Sequence, residues 1–526
     1  METTYLNVCD RPISRWSIVR LLKTVLLLLC VSFSSVYVQA SDRSEGITIS
    51  CKNESLEQVI HLIESQSSYL FVLNDKVNTK HKVSIKIENG NINAILNKIF
   101  QGTNMTYQVD GDHILISTTH KSIGLDETRQ TTMIKGKIHY VGVNDRNKHL
   151  FEGLWPLPYG VSYNSYLIDD ETVALIDTVD ACYFEVYLRK IKSIIGERPI
   201  QYLIINHMEP DHSGSIRLIK QHYPDIVIVG NKQTFGMIEG YYGVTGEQYV
   251  VKDDDFLALG HHKLRFYLTP MVHWPETMMT FDETEGVLFS GDGFGCFGTL
   301  DGGFLDTRIN TDRYWDEMVR YYSNIVGKYG SPVQKALQKL GGLHITTICS
   351  THGPVWTEYI SKVIGIYDKL SRYAADEGVV IAYGSMYGHT EQMAEAIAAE
   401  LSAQGIKNIV MHNVSKSNPS YIIADIFKYR GLIIGSPTYS NQIYPDIESL
   451  LSKILIREVK GRYLGYFGSF TWAGAAVKRM AEFAEKSKFE IIADPVEMKQ
   501  AMKDITYEQC EHLARSMAER LKKDRE

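Results

Sequence analysis

The pattern of apolar and polar positions predicts a small α+β domain over residues 46–118. Apolar residues alternate with polar ones over 47–50, as in a half-buried strand. Ser55-Leu-Glu-Gln58 has the sequence of a helix-capping box, and apolar residues follow it at helical spacing. The remaining pattern predicts strands over 69–73 and 82–87, a helix over 91–100, and a hairpin over 107–116 that turns at Asp110-Gly111.

Two longer α/β domains are predicted beyond a polar, unpatterned linker at 119–132. The first spans 133–373, with strand-like segments at 162–168, 173–177, 202–206 and 226–229. The second spans 379–526, with strand-like segments at 379–383, 409–412, 432–435 and 464–467. In both stretches helix-like segments separate the strands, which is the pattern of sheets covered by helices.

The first 40 residues have a different composition. Basic residues precede a short apolar run at 25–33, which Val38-Gln-Ala40 follows. A basic segment, a short apolar segment and small residues at positions −3 and −1 are the features of a secretory signal, and we expect a cleaved one. An uncleaved anchor and an upstream region that is not translated are the alternatives. Serines interrupt the run, which disfavours a transmembrane helix.

Composition and charge exclude several classes of protein. The net charge is −7 and there is no long basic run, so nucleic acid is not an expected partner. None of the seven cysteines forms a Cys-x-x-Cys pair, which excludes a zinc ribbon and an attached rubredoxin-type iron site. At this length a disulfide scaffold is not expected either.

Seven potential metal ligands stand in short polar segments, most of them directly after apolar ones. They are His207, Glu209, Asp211, His212, His273, Asp292 and His352. The first four lie within six residues, after the apolar segment 202–205. Packing commonly accounts for a single histidine, but not for four ligands side by side at the end of a strand. Imidazole and carboxylate without thiolate suit iron, manganese or zinc, and a pair of metals needs a bridging carboxylate.

The order of these motifs resembles the metallo-β-lactamase fold, an αββα sandwich whose ligands lie in loops at one edge. Most hydrolases of that fold carry histidine where this chain has Glu209, and a carboxylate there favours iron. Glu209 and the run Thr269-Pro-Met-Val-His-Trp-Pro together resemble the flavodiiron branch. The resemblance implies two irons bridged by Asp292. It assigns one iron to His207, Glu209, His273 and Asp292, and the other to Asp211, His212, Asp292 and His352.

Other segments match the same branch. Trp155, the run 163–166 and Asp177 are expected to pack around the ligands and support them. Glu152 departs from the branch, because Phe151-Glu-Gly153 stands where some relatives carry Phe-His-Gly near the gas pocket. This departure leaves the preference between dioxygen and nitric oxide open.

Three loops after strands of the second α/β domain predict a flavin site. The first, 384–390, is rich in small and hydroxyl residues and opens a helix, so its backbone N–H groups suit a phosphate. It lacks the Gly-Lys-Ser/Thr of a Walker loop. In doubly wound parallel sheets ligands bind at the carboxyl ends of the strands. The candidate residues are Ser385, Met386, Tyr387, Gly388, His389, Thr390, Pro437, Thr438, Tyr439, Ser440, Ser469, Phe470, Thr471, Trp472 and Gly474.

These loops resemble those of flavodoxins, in which backbone and an aromatic ring enclose FMN. Trp472 or Tyr439 is the candidate for stacking on the flavin, and the alternative is that both only pack. A metallo-β-lactamase-like domain followed by a flavodoxin-like domain is the flavodiiron arrangement. That resemblance implies reduction of dioxygen to water or of nitric oxide to nitrous oxide, with FMN and two iron ions as cofactors. It also implies a separate rubredoxin or other electron-donor protein, and a head-to-tail homodimer or tetramer.

The predicted 46–118 domain resembles the short N-terminal domain of secretins and TonB-dependent receptors, which implies protein–protein contact in the envelope. Any small α+β module is the alternative. Enzymes of the flavodiiron kind are cytoplasmic, whereas the N-terminal signal would direct export. We therefore expect the active enzyme to be made from Met133. Two other functions stay open: a zinc hydrolase of the same fold, and an envelope binding or signalling protein with a vestigial enzyme domain.

Overall fold

The structure is a computed structural model that describes residues 46–73, 77–101, 103, 105–110, 113–118 and 132–525. The predicted signal segment 1–40 and all but the last residue of the predicted linker 119–132 lie outside the described residues. The chain divides into two compact units, Met1–Leu125 and Asp126–Glu526. Within the described parts of the chain, no helix is both long and apolar enough to cross a membrane.

The first unit has the α+β composition predicted from the sequence. Its elements are β1 (Ile47–Ser55), α1 (Leu56–Glu64), β2 (Leu70–Leu73), β3 (Lys82–Gly90), α2 (Ile92–Phe100), β4 (Met105–Asp110) and β5 (His113–Thr118). β1 pairs with β3, and β5 lies between β2 and β4. The capping box is present, since Gln58 N donates to Ser55 Oγ at 3.3 Å and Gln58 Oε1 accepts from Ser55 N at 3.0 Å. The turn of the predicted hairpin lies outside the described residues.

The first α/β domain of the second unit contains sixteen of the described strands. They are β6 (Met133–Lys135), β7 (Ile138–Tyr140), β8 (Val143–Asp145), β9 (Leu150–Phe151), β10 (Trp155–Pro156), β11 (Val161–Tyr163), β12 (Tyr166–Ile168), β13 (Ala174–Ile176), β14 (Tyr202–Ile204), β15 (Val227–Gly230), β16 (Gln248–Val250), β17 (Phe256–Ala258), β18 (Lys263–Leu268), β19 (Met278–Asp282), β20 (Val287–Gly291) and β21 (Thr347–Ser350). Its helices are α3 (Phe184–Ile195), α4 (Pro210–Ser213), α5 (Ile216–His222), α6 (Lys232–Tyr242), α7 (Asp312–Tyr321), α8 (Gly330–Leu340) and α9 (Ile360–Ser371), with a π-helix at Tyr322–Val326 after α7.

Two sheets form the core of this domain. One has seven strands in the order β16-β15-β14-β13-β12-β7-β6, and the other has five in the order β17-β18-β19-β20-β21. Every residue of β19 and β20 is buried, which explains why these strands show no alternation of apolar and polar residues. The rings of Tyr166 and Phe289 lie 5.4 Å apart and join the two sheets. This is the sandwich expected from the sequence.

The prediction of one continuous strand over 162–168 is wrong. It is two strands, β11 and β12, which belong to different sheets and are separated by Asn164 and Ser165. Asn164 Nδ2 donates to the carbonyls of Ser350 and Gly353 at 2.9 and 2.8 Å. Ser165 Oγ donates to the carbonyl of Ile176 at 3.1 Å. These buried polar side chains bond to backbone outside the ladder, so the chain changes sheet here.

The second α/β domain is a parallel sheet covered by helices. Its strands are β22 (Asp376–Tyr383), β23 (Ile409–Asn413), β24 (Tyr429–Tyr439), β25 (Gln442–Ile443), β26 (Tyr463–Phe470), β27 (Glu490–Ile491) and β28 (Val496–Lys499). Its helices are α10 (His389–Ala403), α11 (Pro419–Lys428), α12 (Pro445–Ile456), α13 (Ala476–Ser487) and α14 (Asp504–Lys523). The spatial order β23-β22-β24-β26-β27, with β28 also on β26, is that of a doubly wound fold.

The two α/β domains share one apolar core. Phe427 of α11 lies 6.2 Å from the ring of Tyr322, and the same core includes buried residues on both sides of the junction. Arg320 is buried at the junction, where it donates to Pro156 O at 2.9 Å and to Ser420 Oγ at 3.0 Å. The flavodoxin-like domain is thus packed firmly against the domain that carries the candidate ligands.

Candidate metal centre and flavin site

The seven candidate ligands lie in loops at one edge of the two sheets. Four of them follow β14, in the loop before α4 and in α4 itself, and His273 lies between β18 and β19. Asp292 comes directly after β20, and His352 lies two residues after β21. Because β20 and β21 are parallel neighbours, their carboxyl ends meet.

Asp292 lies at the centre of the cluster, and its two carboxylate oxygens face different histidines. Oδ2 lies 3.1 Å from His273 Nε2 and 3.6 Å from His207 Nε2. Oδ1 lies 3.2 Å from His212 Nε2 and 3.6 Å from His352 Nε2. The resemblance to the flavodiiron branch implied the same division, with Asp292 as the carboxylate that bridges two metal ions.

The two other carboxylates complete the division. Glu209 Oε2 lies 3.1 Å from His273 Nε2 and 3.8 Å from His207 Nε2. Asp211 Oδ2 lies 3.3 Å from His352 Nε2, and its Oδ1 lies 3.7 Å from His212 Nε2. All seven candidate ligands are therefore brought together in one cluster of two halves.

The chemistry of this cluster fits metal ions. Its residues are buried, yet several of their polar atoms have no hydrogen-bond partner among the described residues: His207 Nε2, both oxygens of Asp211, both ring nitrogens of His212, and His352 Nε2. Burial of unpaired polar atoms is costly unless a cation or a proton satisfies them. Potential ligand atoms of His207, Glu209, His212 and Asp292 lie within 4.8 Å of one another, as do those of Asp211, His212 and His352.

The charges in the cluster also favour cations. Burial opposes protonation of His212, but Asp211 and Asp292 raise its pKa to about 10. Burial likewise opposes protonation of His273, and Asp292 and Glu209 raise its pKa to about 10. Nearby positive charge thus stabilises the three buried carboxylates, and a pair of divalent metal ions would supply it.

Hydrogen bonds on the far side of the histidine rings orient them. His207 Nδ1 lies 2.6 Å from Glu276 Oε1, and His352 Nδ1 lies 2.7 Å from the carbonyl of Ser162. Each Nδ1 is then a donor, which leaves Nε2 as the ligand atom. Neither partner was predicted from the sequence. Glu276 could have been noticed because it follows the run that contains His273.

Asp177 was expected to support the ligands, and its contacts agree with that role. Its carboxylate accepts from the backbone N–H of Asn206 at 2.7 Å and from Asn206 Nδ2 at 2.9 Å. These bonds hold the residue that precedes His207. Thr351 Oγ1 donates to Asp292 Oδ1 and fixes the central carboxylate from the other side.

Aromatic rings line the side of the cluster next to His352. The rings of Phe151 and Tyr321 lie 5.5 and 5.6 Å from its imidazole. The hydroxyl of Tyr321 is buried, and it has no hydrogen-bond partner in the described part of the chain. Burial and the nearby Asp292 raise the pKa of this phenol well above its usual value, so it keeps its proton. Nothing in the sequence pattern singled out Tyr321.

Trp155 pairs with Phe151 between strands β9 and β10, and its side chain contacts Glu152. The indole Nε1 donates to Glu152 Oε2 at 3.0 Å. Partial burial and the charge of Glu209 raise the pKa of the Glu152 carboxyl. Glu152 also has a positive φ of 50°, which turns the chain sharply after Phe151.

The three predicted flavin loops meet at one edge of the parallel sheet. The first follows β22, but β24 and β26 extend further than predicted: Pro437, Thr438 and Tyr439 are the last residues of β24, and Ser469 and Phe470 are the last residues of β26. These three strands are adjacent in the order β22-β24-β26. Ser385 Oγ accepts from the backbone N–H of Gly388 at 3.1 Å, and Gly388 has a φ of 88° that favours glycine. The hydroxyls of Thr390 and Ser469 lie 2.8 Å apart and join the first loop to the third. Thr438 Oγ1 accepts from Ala475 N at 3.0 Å and joins the second to the third.

The aromatic residues of these loops are exposed. Trp472 is 81% exposed, Tyr387 is 87% exposed and Tyr439 is 48% exposed. Side chains that only filled the core would be buried, so the alternative that Trp472 only packs does not agree with its position. Among the remaining candidates, Pro437 and Ser469 are buried near the ends of β24 and β26, and His389, Ser440, Thr471 and Gly474 are exposed.

Family models match each part of the chain. The model described as "ODP family beta lactamase" matches residues 161–353, and "Flavodoxin" matches residues 381–513. "Secretin and TonB N terminus short domain" matches residues 69–119, which agrees with the resemblance seen in the N-terminal part of the sequence.

Relatives and solved structures cover both α/β domains. A "Nitric oxide reductase" of Moorella thermoacetica is 31% identical over 370 residues, which are 70% of this chain and 92% of the relative. An "Anaerobic nitric oxide reductase flavorubredoxin" of Vibrio vulnificus is 32% identical, over 68% of this chain and 74% of the relative. The rubredoxin oxygen:oxidoreductase of Desulfovibrio gigas superposes with a TM-score of 0.72 at 31% identity, over 75% of this chain and 99% of that one. The flavodiiron protein of Giardia intestinalis gives 0.70 at 26% identity, over 74% and 96%.

A two-metal cluster in a β-lactamase-like sandwich, followed by a flavodoxin fold, defines an oxidoreductase that carries metal ions and a flavin. Its cofactors are FMN and two irons. The chain belongs to the flavodiiron protein family. This membership sets aside the zinc hydrolase, and the complete ligand cluster does not agree with a vestigial enzyme.

Proposed function

We propose that this enzyme reduces dioxygen to water, nitric oxide to nitrous oxide, or both gases. Dioxygen takes up four electrons and four protons to give two waters, and two nitric oxide molecules take up two electrons and two protons to give nitrous oxide and water. The names of the relatives support both reactions. The observation that carries the proposal is the position of Asp292, whose two oxygens face the two halves of the ligand cluster.

The distances between carboxylate oxygens and histidine nitrogens support a division of the proposed ligands between two irons. His207, Glu209, His273 and Asp292 would hold one iron, and Asp211, His212, Asp292 and His352 would hold the other. An iron pair held there would supply a gas-binding centre and two electrons, and reduced FMN would supply two more. Glu276 and the carbonyl of Ser162 keep the Nε2 atoms of His207 and His352 turned toward the irons.

The aromatic wall has its own part in the proposed reaction. Phe151 and Tyr321 exclude water from the side of the cluster next to His352. The unpartnered hydroxyl of Tyr321 would donate a hydrogen bond to a bound gas or to its reduced product. The Glu152 carboxyl, held by Trp155, lies at the rim of this wall.

The proposed FMN site is the edge where the three loops of the parallel sheet meet. The backbone of 385–390 and the hydroxyls of Ser385 and Thr390 would bind the phosphate at the start of α10. The loops at 437–440 and 469–474 would enclose the flavin ring, with Trp472 or Tyr439 stacked on it. Their exposure in the single chain leaves room for such a ring.

The proposed electron route needs two protein partners. A rubredoxin or another donor protein would reduce FMN, because the sequence contains no Cys-x-x-Cys pair of its own. A second copy of the chain, arranged head to tail in a dimer or tetramer, would bring the FMN of one subunit to the irons of the other. Light scattering measures the mass of the assembly and so tests for a dimer or tetramer. Mixing an iron-deficient variant with an FMN-deficient one would restore turnover if the route crosses between subunits, and would not if it stays within one.

We also propose that the active enzyme is made from Met133 and works in the cytoplasm. Met133 is the first residue of β6, the edge strand of the seven-stranded sheet. Mass spectrometry of the N-terminus of the native protein tests this. Peptides from 46–118 on the same polypeptide as the irons, in a periplasmic fraction with iron and FMN, would contradict it.

The principal experiment is an anaerobic assay of the purified chain with both gases. We expect about two irons and one FMN per chain and consumption of at least one gas. Zinc in place of iron, or no gas consumption by a chain loaded with both cofactors, would contradict the proposed function.

A further inference from the structure

Arg457 is a buried cation of the flavodoxin-like domain that lies against the other α/β domain. It follows directly after α12 and is 8% exposed. Its Nε donates to the carbonyl of Ser323 at 3.1 Å, and its Nη2 donates to the carbonyl of Asn324 at 3.2 Å. No carboxylate lies within ion-pair distance of it among the described residues. A buried guanidinium that bonds mainly to the backbone of another domain fixes that backbone in place.

The backbone that Arg457 holds belongs to the π-helix Tyr322–Val326. A π-helix is rare, and its wider turn is commonly found at functional sites. This one begins immediately after Tyr321, whose ring lies 5.6 Å from His352. By bonding to Ser323 and Asn324, Arg457 holds the turn that sets the position of the Tyr321 hydroxyl.

The face of the same guanidinium covers Trp155. Its central carbon lies 4.9 Å from the centroid of the Trp155 ring, which is the geometry of a cation–π contact. The Trp155 indole in turn donates to Glu152 at 3.0 Å. Glu152 follows Phe151, which lies 5.5 Å from His352. One side chain thus contacts both segments that line the ligand cluster.

We propose that Arg457 is a positioning residue of the gas pocket, which fixes Tyr321 from one side and the Trp155–Glu152 pair from the other. The proposal rests on the proposed function, because it concerns the pocket where the gas would react. It gives the flavodoxin-like domain a second role besides holding FMN. That domain supplies part of the support for the iron pocket of its own chain.

The variant Arg457→Lys tests this role. Lysine keeps the positive charge but lacks the planar guanidinium. That group covers Trp155 and bonds to two carbonyls at the same time. We expect unchanged iron and FMN contents. We expect the reoxidation of pre-reduced enzyme by dioxygen or nitric oxide, followed by stopped flow, to slow about tenfold. Hydrogen exchange should increase in 149–157 and in 319–326, with or without iron.

Arg462→Lys is the matched control. Arg462 is also buried near the junction, and it donates to the carbonyls of Ile426, Phe427 and Tyr373 at 2.6, 2.9 and 2.9 Å. None of these residues lines the ligand cluster. We expect this variant to lose stability while the rate of reaction with gas stays unchanged. Equal slowing in the two lysine variants would overturn the proposal.

A double-mutant cycle with Glu152→Gln completes the test. If Arg457 acts through Trp155 and Glu152, the effects of the two substitutions on the gas reaction are not additive. Trp155→Phe, which keeps a ring but loses the N–H donor, should reproduce the effect of Glu152→Gln without affecting folding. Additive effects, or unchanged hydrogen exchange in 149–157 and 319–326, would overturn the proposal. If the wild-type enzyme loaded with both cofactors reacts with neither gas, the proposed function fails, while the exchange experiment still decides the contacts of Arg457.

Discussion

His207 and Glu276 form a buried pair in which Nδ1 of the imidazole lies 2.6 Å from Oε1 of the carboxylate. The same Glu276 oxygen accepts from the backbone N–H of Met208 at 2.9 Å. The pair determines which nitrogen of His207 faces Asp292, and the carboxylate makes that nitrogen a better ligand.

Glu276→Gln should weaken iron binding without removing any ligand. The glutamine keeps the size of the side chain but loses the charge that supports His207, and such losses commonly reduce metal affinity about 10- to 100-fold. Iron retained during dialysis against a chelator measures the effect. Glu276→Gln should keep FMN, and a variant that retains iron as wild type does would show that Glu276 does not orient the ligand.

Asp292→Ala should lose iron and all gas reduction while flavin absorbance remains. Asp292 contacts histidines of both halves of the cluster, so no other ligand replaces it. Asp306→Asn is the control, because Asp306 is also a buried carboxylate but accepts from the backbone of Thr357, Glu358 and Tyr359, outside the cluster. The control should lose stability and keep its iron. Iron content by metal analysis decides, and normal iron in Asp292→Ala would falsify the ligand assignment.

Thr390→Val should weaken FMN binding about fivefold. The substitution removes the hydroxyl that joins the first flavin loop to Ser469 and is proposed to bind the phosphate, and one such bond contributes about 1 kcal/mol. Fluorescence titration of the apoprotein with FMN measures the dissociation constant. Thr506→Val, at a buried threonine of α14, is the control and should bind FMN normally. Equal affinities in the two variants would place the phosphate elsewhere.

His262 should make the stability of the protein depend on pH. Its ring is buried between Asp282 Oδ2, 2.7 Å from Nδ1, and the carbonyl of Gly136, 2.6 Å from Nε2, so both nitrogens donate. Burial lowers the pKa of His262, but Asp282 raises it above the ordinary value of 6.5. Protonation therefore favours the folded chain. The stabilisation is complete below about pH 6.5. It is lost as the pH rises through the pKa that His262 has in the folded protein.

Thermal unfolding of wild type and His262→Gln from about pH 6 to pH 9 tests this. The difference between their midpoints should be largest at the acidic end and shrink as the pH rises. In Asp282→Asn the partner carboxylate is absent, so the same His262→Gln substitution should have a much smaller effect. A difference that is constant over this range would contradict the prediction.

Much of the fold and most of the cluster could be predicted from the sequence. Helical spacing of apolar residues and the Ser55–Gln58 box are local signals, and the structure contains the elements they predict. The ligands could be predicted because His207 and Asp292 stand where apolar strands end, and strand ends of one sheet meet in space. The division of the ligands between two irons came from a resemblance, since sequence spacing does not determine it.

What the sequence did not reveal depends on contacts between distant segments. Arg457 and Trp155 belong to different domains, and no periodicity connects them. Tyr321 is one aromatic residue among many, and only the π-helix after it distinguishes its position. The break at Asn164 was missed because its amide bonds to the backbone of Ser350 and Gly353, which are distant in the sequence.

The wide separation of the ligands along the chain has a consequence for synthesis. The first four ligands emerge from the ribosome with the loop after β14, but His352 emerges only after β21 has been made. Until then one half of the cluster lacks a histidine, and of the two histidines that face Asp292 Oδ1 only His212 is present. A nascent chain can therefore hold at most an incomplete metal site. We expect iron to enter after translation has passed residue 352 and the two sheets have closed, so that insertion of the metal marks the completion of the sandwich.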